Sequence, residues 1–149
     1  MTRAVLAGRV RRRGQTDLVA PDSLRIGRGT VDETGVYAGD HGDQALVVTD
    51  PGVRAAGLAA PVVEALDDAG VTHETFDGVD ADPSVGNAVA CAKRARATDA
   101  DCLVGVGGGS AMDVAKVAAV ATTGGPVADL LGRGQVPDEG LPTVLLPTT

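Results

Sequence analysis

The sequence predicts an α/β fold built on a doubly wound parallel sheet, and three observations carry this prediction. Short apolar runs alternate with helix-like segments along most of the chain. Two of the runs, residues 45–50 and 102–107, are almost continuous, which is typical of strands that are buried on both faces. The apolar residues are small or β-branched, with 24 Ala and 22 Val against one Phe, one Tyr and no Trp, and such side chains suit close packing of helices on a sheet.

The first half of the chain is divided by its turn residues. Residues 1–21 show little pattern and are expected to form a poorly ordered or edge segment. Pro61 suits the first turn of a helix, and Gly70 suits the end of that helix. The predicted elements are a strand at 22–27, a helix at 30–39, a strand at 45–50, a helix at 61–70 and a strand at 71–76.

The second half continues the alternation from residue 84 to the last residue. A helix is predicted at 84–98, where apolar residues recur with helical spacing. A strand at 102–107 is followed by a helix at 110–122 that is apolar nearly all round, so both of its faces are expected to be covered. A short helix at 126–132 and a strand at 143–147 complete the prediction. One crossover helix fits between each pair of strands, which favours a parallel sheet with right-handed connections.

Charge and composition exclude several classes of function. The chain has 13 basic and 20 acidic residues and a net charge of −7, so a phosphate backbone would be repelled, and aromatic platforms for base stacking are lacking. No apolar run is long enough to span a membrane or serve as a secretory signal. Arg11, Arg12 and Arg13 are interpreted as a solvated tail rather than a nucleic-acid or membrane arm. Cys91 and Cys102 are expected to be core thiols of a reduced, cytoplasmic protein.

The segment most informative about chemistry is LVGVGGGSAMDVAK at residues 103–116. A buried strand enters three glycines, Gly107, Gly108 and Gly109, and a helix begins near Ser110. Glycines allow a ligand to approach the backbone, and the helix directs unpaired N–H groups at the loop, so the segment can hold a pyrophosphate. Glycine loops of this kind also occur without a ligand. The string matches neither the common dinucleotide fingerprint nor the P-loop pattern.

Two aspartates lie near this predicted loop. Asp50 follows the strand at 45–49, at the edge of the sheet where ligands bind, and can accept hydrogen bonds from ribose hydroxyls. It would repel a 2′-phosphate, which favours NAD over NADP; the alternative is a turn residue before Pro51 and Gly52. Asp113, predicted in the first turn of the helix, is either a ligand contact or an acid that favours the helix N-terminus and pairs with Lys116.

Four motifs resemble those of the iron-containing alcohol dehydrogenases, a family of the dehydroquinate synthase-like proteins. They occur in order and at similar spacing: VVTDPG at 48–53, DADPS at 80–84, GGGSAMDVAK at 107–116 and LPTT at 146–149. The resemblance covers about residues 22–149. It implies that these residues form a Rossmann-like dinucleotide-binding domain, which a helical metal-binding domain follows in the family.

The resemblance also implies roles for particular residues. Asp50 would bind the adenosine ribose, Gly107, Gly108, Gly109 and Ser110 would hold the pyrophosphate, and Asp113 would lie near the nicotinamide. Thr148 and Thr149 match the start of a segment that touches the nucleotide in the family. Asp82 stands where the family usually has Asn before Pro83, and it would keep a hydrogen-bond acceptor while adding charge.

The family's metal site is not expected in this chain. The family holds iron or another divalent ion with an Asp and three His from its second domain, whereas this sequence has only His41 and His73, which are expected to be structural or exposed. No catalytic residue is therefore predicted here. Three possibilities follow: the cofactor-binding half of an alcohol dehydrogenase that transfers hydride, an inactive nucleotide-binding remnant, or half of a split enzyme. The expected partners are a nicotinamide dinucleotide and either a separate metal domain or another copy of the chain.

Overall fold

The centre of the molecule is a four-stranded sheet, seen in a computed structural model that describes residues 21–130 and 140–148. Its strands are β1 (Gln44–Val48), β2 (Thr72–Phe76), β3 (Cys102–Gly107) and β4 (Thr143–Pro147). They lie in the order β2-β1-β3-β4, and each neighbouring pair is parallel. The predicted parallel α/β fold is confirmed.

Helices cover both faces of this sheet. They are α1 (Thr34–Gly39), α2 (Pro51–Ala55), α3 (Ala60–Asp68), α4 (Val85–Ala97) and α5 (Gly109–Gly124), with 3-10 turns at Thr30–Glu33 and Val127–Leu130. Alternate side chains of β1 point to opposite faces. Ala45 and Val47 pack in the core beneath α1 and α3, whereas Leu46 and Val48 pack in the core beneath α4 and α5. The sheet is therefore doubly wound, as predicted.

The chain reverses its direction across the sheet between β1 and β3. From β1 the connection leads to β2 on one side, whereas from β3 it leads through α5 to β4 on the other side. The connections that leave β1 and β3 therefore separate at their carboxyl ends and open a crevice. In doubly wound sheets this position is where ligands bind.

Local hydrogen bonds fix where two of these elements begin. The Ser84 side chain accepts from the N–H of Asn87 while the Asn87 side chain accepts from the N–H of Ser84, so a reciprocal cap starts α4. At the amino ends of the strands, Oδ2 of Asp101 accepts hydrogen bonds from the N–H groups of Asp43 and Gln44 at 2.9 and 3.0 Å. Asp101 thereby joins the start of β1 to the start of β3.

Two of the expected elements differ in the structure. The strand predicted at 22–27 does not form, and its two apolar residues Leu24 and Ile26 are 69% and 88% exposed. No strand of the described residues pairs with this segment, and a single short strand is not stable without a neighbour. The second difference is α2, a short helix where the sequence indicated a turn. Asp50 caps it and Pro51 occupies its first turn.

The remaining differences concern the ends and the exposure of helices. The helix at 30–39 starts as a 3-10 turn, and the short helix expected at 126–132 is a 3-10 turn at Val127–Leu130, with residue 131 onward outside the described range. The described residues themselves cover only part of the surface of α5. Asp113 and Lys116 are exposed, and Val117 is 38% exposed. No described helix has the length and apolar character needed to cross a membrane.

Candidate functional site

A cleft of about 330 Å³ opens at the carboxyl ends of β1 and β3, at the reversal point of the sheet. Three loops form its walls. They contribute Asp50, Pro51 and Gly52 after β1, Val79, Asp80 and Ala81 after β2, and Gly108 and Ser110 after β3. The cleft thus brings together the three segments that the sequence analysis singled out, from distant parts of the chain.

Gly107, at the end of β3, and the two glycines that follow it differ in how far the fold requires a glycine. Gly107 has φ of +147°, and a β-carbon there would lie 3.0 Å from Cβ of Ala111 and 3.3 Å from Oδ2 of Asp50. The fold itself therefore requires Gly107. A β-carbon on Gly108 or Gly109 would meet no protein atom within 4 Å. Neither packing nor its φ of −77° requires glycine at position 108, so the free space beside it is available to a ligand.

The N-terminus of α5 is open toward this loop. Its first helical hydrogen bond runs from the N–H of Met112 to the carbonyl of Gly108 at 3.2 Å, and no side chain caps the helix. The N–H groups of Gly109, Ser110 and Ala111 consequently have no partner within the helix. Together with the helix dipole, three such donors favour an anionic group at this end of α5.

Asp50 is held in place at the end of β1. Its Oδ1 accepts a 2.9 Å hydrogen bond from the N–H of Val53, as the cap of α2, and its Oδ2 points toward Gly107. One carboxylate oxygen thus has a structural role, while the other faces the glycine loop. Beneath it, the buried hydroxyl of Thr49 donates to the carbonyl of Val106 at 2.9 Å, which fixes β1 against β3.

The loop between β2 and α4 is organised by Asn87. Its Nδ2 donates to the carbonyl of Gly78 at 2.9 Å, and its Oδ1 accepts from the N–H of Asp80 at 3.4 Å. The side chain of Val79 is buried in the core, and the hydroxyl of Ser110 donates to the carbonyl of Ala81 at 2.9 Å. These contacts hold the loop against the glycine turn and fix it at the edge of the cleft.

The expected site residues are only partly brought together. Asp50, Gly108 and Ser110 line the cleft, and Gly107 contacts Asp50. Asp82 is exposed and does not line the cleft, whereas Asp80, which the sequence analysis did not single out, does. The DADPS motif indicated that this acidic loop belongs to the site, but the sequence of an irregular loop does not tell which of its aspartates faces the cleft.

Four expected residues remain, and none of those that the structure describes lines the cleft: Gly109 is the first residue of α5, and Asp113 and Thr148 lie farther along the chain. Asp113 is beyond the first turn of α5, because the helix begins at Gly109, and it pairs with Lys116 at 2.6 Å. The N–H of Thr148 donates to the carbonyl of Gly107 at 3.1 Å, so the end of β4 adjoins the glycine loop. Thr149 lies outside the described residues.

The described residues do not fit a metal centre. Within 21–130 and 140–148, no group of three or more His, Cys, Asp or Glu side chains could hold a metal ion. His41 is exposed in the turn before β1. His73 lies near the start of β2, at the amino ends of the strands and away from the cleft, where its Nε2 is 3.1 Å from Oδ1 of Asp67. Both cysteines are free and buried, as expected, and burial raises the pKa of Cys91 to about 12 and that of Cys102 to about 11.

Comparison with known proteins assigns the chain to a family. The family model of the iron-containing alcohol dehydrogenases matches residues 21–149. The chain belongs to this family. Among curated relatives, it is 38% identical over 109 residues to a sulfoacetaldehyde reductase of Bilophila wadsworthia, which covers 72% of this chain and 28% of that protein. It is 34% identical over 136 residues to alcohol dehydrogenase 4 of Saccharomyces cerevisiae, covering 90% and 36%.

Solved structures of family members show the same fold. A 1,3-propanediol oxidoreductase superposes with a TM-score of 0.85 at 29% identity, covering 91% of this chain and 36% of that one. A sulfoacetaldehyde reductase of Bifidobacterium kashiwanohense, in complex with NAD⁺, superposes with a TM-score of 0.77 at 34% identity, covering 89% and 36%. The chain therefore spans about a third of the length of the family members that it matches.

Proposed function

We propose that this chain supplies the NAD-binding half of an iron-type alcohol dehydrogenase, which transfers hydride between an alcohol or hydroxy acid and a nicotinamide cofactor. The observation that carries the proposal is the cleft at the reversal point of the sheet, where α5 begins with a glycine loop and no side-chain cap. The NAD⁺ complex of the Bifidobacterium relative supports the choice of ligand.

The pyrophosphate is assigned to the loop of Gly107, Gly108 and Gly109 and to the backbone N–H of Ser110. Uncapped N–H groups at a helix N-terminus hold phosphates without any charged side chain, and the open space beside Gly108 admits the ligand. The hydroxyl of Ser110 is already occupied by Ala81. Its contribution to the ligand therefore comes from the backbone, and its side chain holds the wall of the cleft.

Asp50 is assigned to the adenosine ribose. Its Oδ2 faces the glycine loop while Oδ1 is engaged by Val53, so the residue can accept from ribose hydroxyls without giving up its role as the cap of α2. A 2′-phosphate at the same place would put like charges together, which favours NAD over NADP. The roles of Asp82, Asp113, Thr148 and Thr149 are proposed from the family motif alone, because the three described ones do not line the cleft.

The bound dinucleotide would supply the nicotinamide ring that accepts or donates hydride. The part of the molecule contributed by this chain binds and orients that cofactor, with residues 22–149 as its dinucleotide-binding domain. The described residues do not fit the family's metal, so the metal ligands are assigned to a helical domain on another stretch of polypeptide. A metal domain or a second copy of the chain is the proposed protein partner. The two free thiols support a cytoplasmic location.

A second candidate is a protein that binds the nucleotide and catalyses nothing. It is favoured by the placement of both histidines away from the cleft, which leaves no imidazole to act as a metal ligand or proton carrier there. Binding of NADH without turnover of any alcohol, with or without added iron or zinc, would support this candidate. Turnover by the purified chain would exclude it.

Calorimetric titration of NAD and NADP against wild type and Asp50→Ala tests the proposal. Wild type should prefer NAD, and the substitution should reduce that preference by about 1–2 kcal/mol, the size of a hydrogen bond to a charged group. Asp68→Ala is a matched control, because it removes an exposed acid at the end of α3, near the amino ends of the strands and away from the cleft. Equal affinity of wild type for the two nucleotides would remove Asp50 from the ribose site.

A further inference from the structure

The cleft carries an unusual charge for a site that is proposed to hold a pyrophosphate. Two carboxylates line it, those of Asp50 and Asp80, and no lysine or arginine is among its lining residues. The nearby cations are engaged elsewhere: Arg54 pairs with Asp77, and Lys116 pairs with Asp113. The N-terminus of α5 is thus the positive element of the cleft, and it faces acidic walls.

The charge is a property of the folded domain rather than of its flanking segment. The first 21 residues contain five arginines and one aspartate. Residues 22–149 therefore carry eight basic and 19 acidic side chains, so they are more negative than the whole chain. An anionic ligand that approaches the cleft meets repulsion from this surface as well as from the two lining acids.

Asp80 is held at the cleft by its backbone and by its neighbours in the chain rather than by its carboxylate. Val79 on one side is 1% exposed and anchors the loop in the core. The N–H of Asp80 donates to Oδ1 of Asn87, and the carbonyl of Ala81 on the other side accepts from Ser110. Within the described residues the Asp80 carboxylate makes no ion pair or hydrogen bond, so its charge is not neutralised by a neighbour.

We propose that Asp80 is a further specificity-determining residue of this cleft, which selects against nucleotides of higher negative charge and makes dinucleotide affinity increase with salt. The inference rests on the proposed NAD site. Two like charges several Å apart at a partly exposed site repel each other, and salt screens that repulsion over a Debye length of about 10 Å at 0.1 M. Added salt therefore weakens the repulsion from Asp80.

This behaviour is opposite in sign to that of a basic nucleotide site. A site that binds phosphate through lysine or arginine loses affinity as salt rises, because salt screens attraction. Here the attractive donors are backbone N–H groups in direct contact with the ligand, whereas the repulsive charges lie on exposed side chains that salt screens more strongly. Asp82 is excluded as the main source, since it does not line the cleft.

Titration of NAD and NADP at about 0.05 M and about 0.5 M KCl, with wild type, Asp80→Asn and Asp68→Asn, tests the proposal. Wild-type affinity for NAD should rise about three-fold between the two salt concentrations, on the scale of one screened charge pair. Asp80→Asn should bind NAD about three-fold more tightly than wild type at low salt, gain still more for NADP, and lose most of its salt dependence. Asp68→Asn removes the same charge near the amino ends of the strands, away from the cleft, and its affinity for both nucleotides should match that of wild type.

The outcomes separate this inference from the proposed function. NAD binding that is unchanged or weakened in Asp80→Asn would overturn the role of Asp80 and leave the NAD site intact. The same holds if Asp68→Asn changes the affinity as much as Asp80→Asn, because the effect would then come from net charge alone. Absence of NAD binding by all three proteins at both salt concentrations would overturn the proposed function and this inference with it.

Discussion

Asp50 and Gly107 lie against each other at the carboxyl ends of neighbouring strands. A β-carbon on Gly107 would be 3.3 Å from Oδ2 of Asp50 and 3.0 Å from Cβ of Ala111. The carboxylate of Asp50 therefore borders the space that a side chain at position 107 would need. This contact links the cap of α2, the end of β3 and the start of α5 in one arrangement.

Gly107→Ala is expected to destabilise the domain. The backbone at 107 has φ of +147°, which a β-carbon disfavours, and the added carbon would crowd Ala111 and Asp50. The free energy of unfolding in urea should fall by about 2 kcal/mol, combining backbone strain with overpacking. Gly108→Ala, at an ordinary φ and in open space, is the matched control and should lose less than half as much. Equal losses in the two variants would contradict the different roles given to these glycines.

Ser110→Ala is expected to loosen the loop that carries Asp80 while leaving the fold intact. The substitution removes the 2.9 Å hydrogen bond from the Ser110 hydroxyl to the carbonyl of Ala81, which is a contact between two exposed segments. Amide hydrogen exchange in residues 79–82 should become several-fold faster, since a neutral hydrogen bond contributes about 1 kcal/mol. Ser110→Thr keeps the hydroxyl and should restore the wild-type rate. If exchange is unchanged in the alanine variant, Ser110 does not position this loop.

The two buried thiols predict a loss of stability at high pH. Burial raises the pKa of Cys91 to about 12 and that of Cys102 to about 11, from 9.0. The folded state keeps these protons while the unfolded state releases them, so the stabilisation is complete below pH 9 and is lost as the pH rises toward the folded values. Urea unfolding under reducing conditions should show a decline approaching about 1.4 kcal/mol per pH unit for each thiol above pH 9.

The Cys91→Ala variant isolates one thiol in that experiment. It should be less stable than wild type at every pH because the core loses volume, but its stability should fall less steeply between pH 9 and pH 10.5. The slope is therefore the informative quantity. An identical slope in the variant would mean that Cys91 is not the source of the pH dependence.

The sheet could be predicted from sequence because the pattern of its central strands is local. In β1 and β3 nearly every side chain is buried, so an uninterrupted apolar run is the direct signature of a central strand. The strand expected at 22–27 lacks such a run, and its Leu24 and Ile26 are exposed because no neighbouring strand of the described residues covers them. The short helix α2 was missed because Asp50 followed by Pro51 is a signal both of a turn and of a helix start.

The cleft was only partly predictable because its walls depend on contacts between distant segments. Gly107 and Ser110 could be found from the glycine string and the helix that follows it. The choice of Asp80 over Asp82 depends on the contacts of Asn87 and Ser110 with the loop, which connect residues up to 29 positions apart. No spacing in the DADPS segment encodes these contacts.

The proposed dinucleotide site depends on the open space beside Gly108, and calorimetric titration of NAD against wild type and Gly108→Val probes that space. A valine at 108 would meet no protein neighbour at its β-carbon, so the melting temperature should change little while its side chain blocks the approach of the pyrophosphate to α5. Wild type should bind NAD, and the variant should bind at least about ten-fold more weakly, a loss of about 1.4 kcal/mol. If the variant binds NAD as tightly as wild type, or if wild type does not bind NAD, this cleft is not the dinucleotide site.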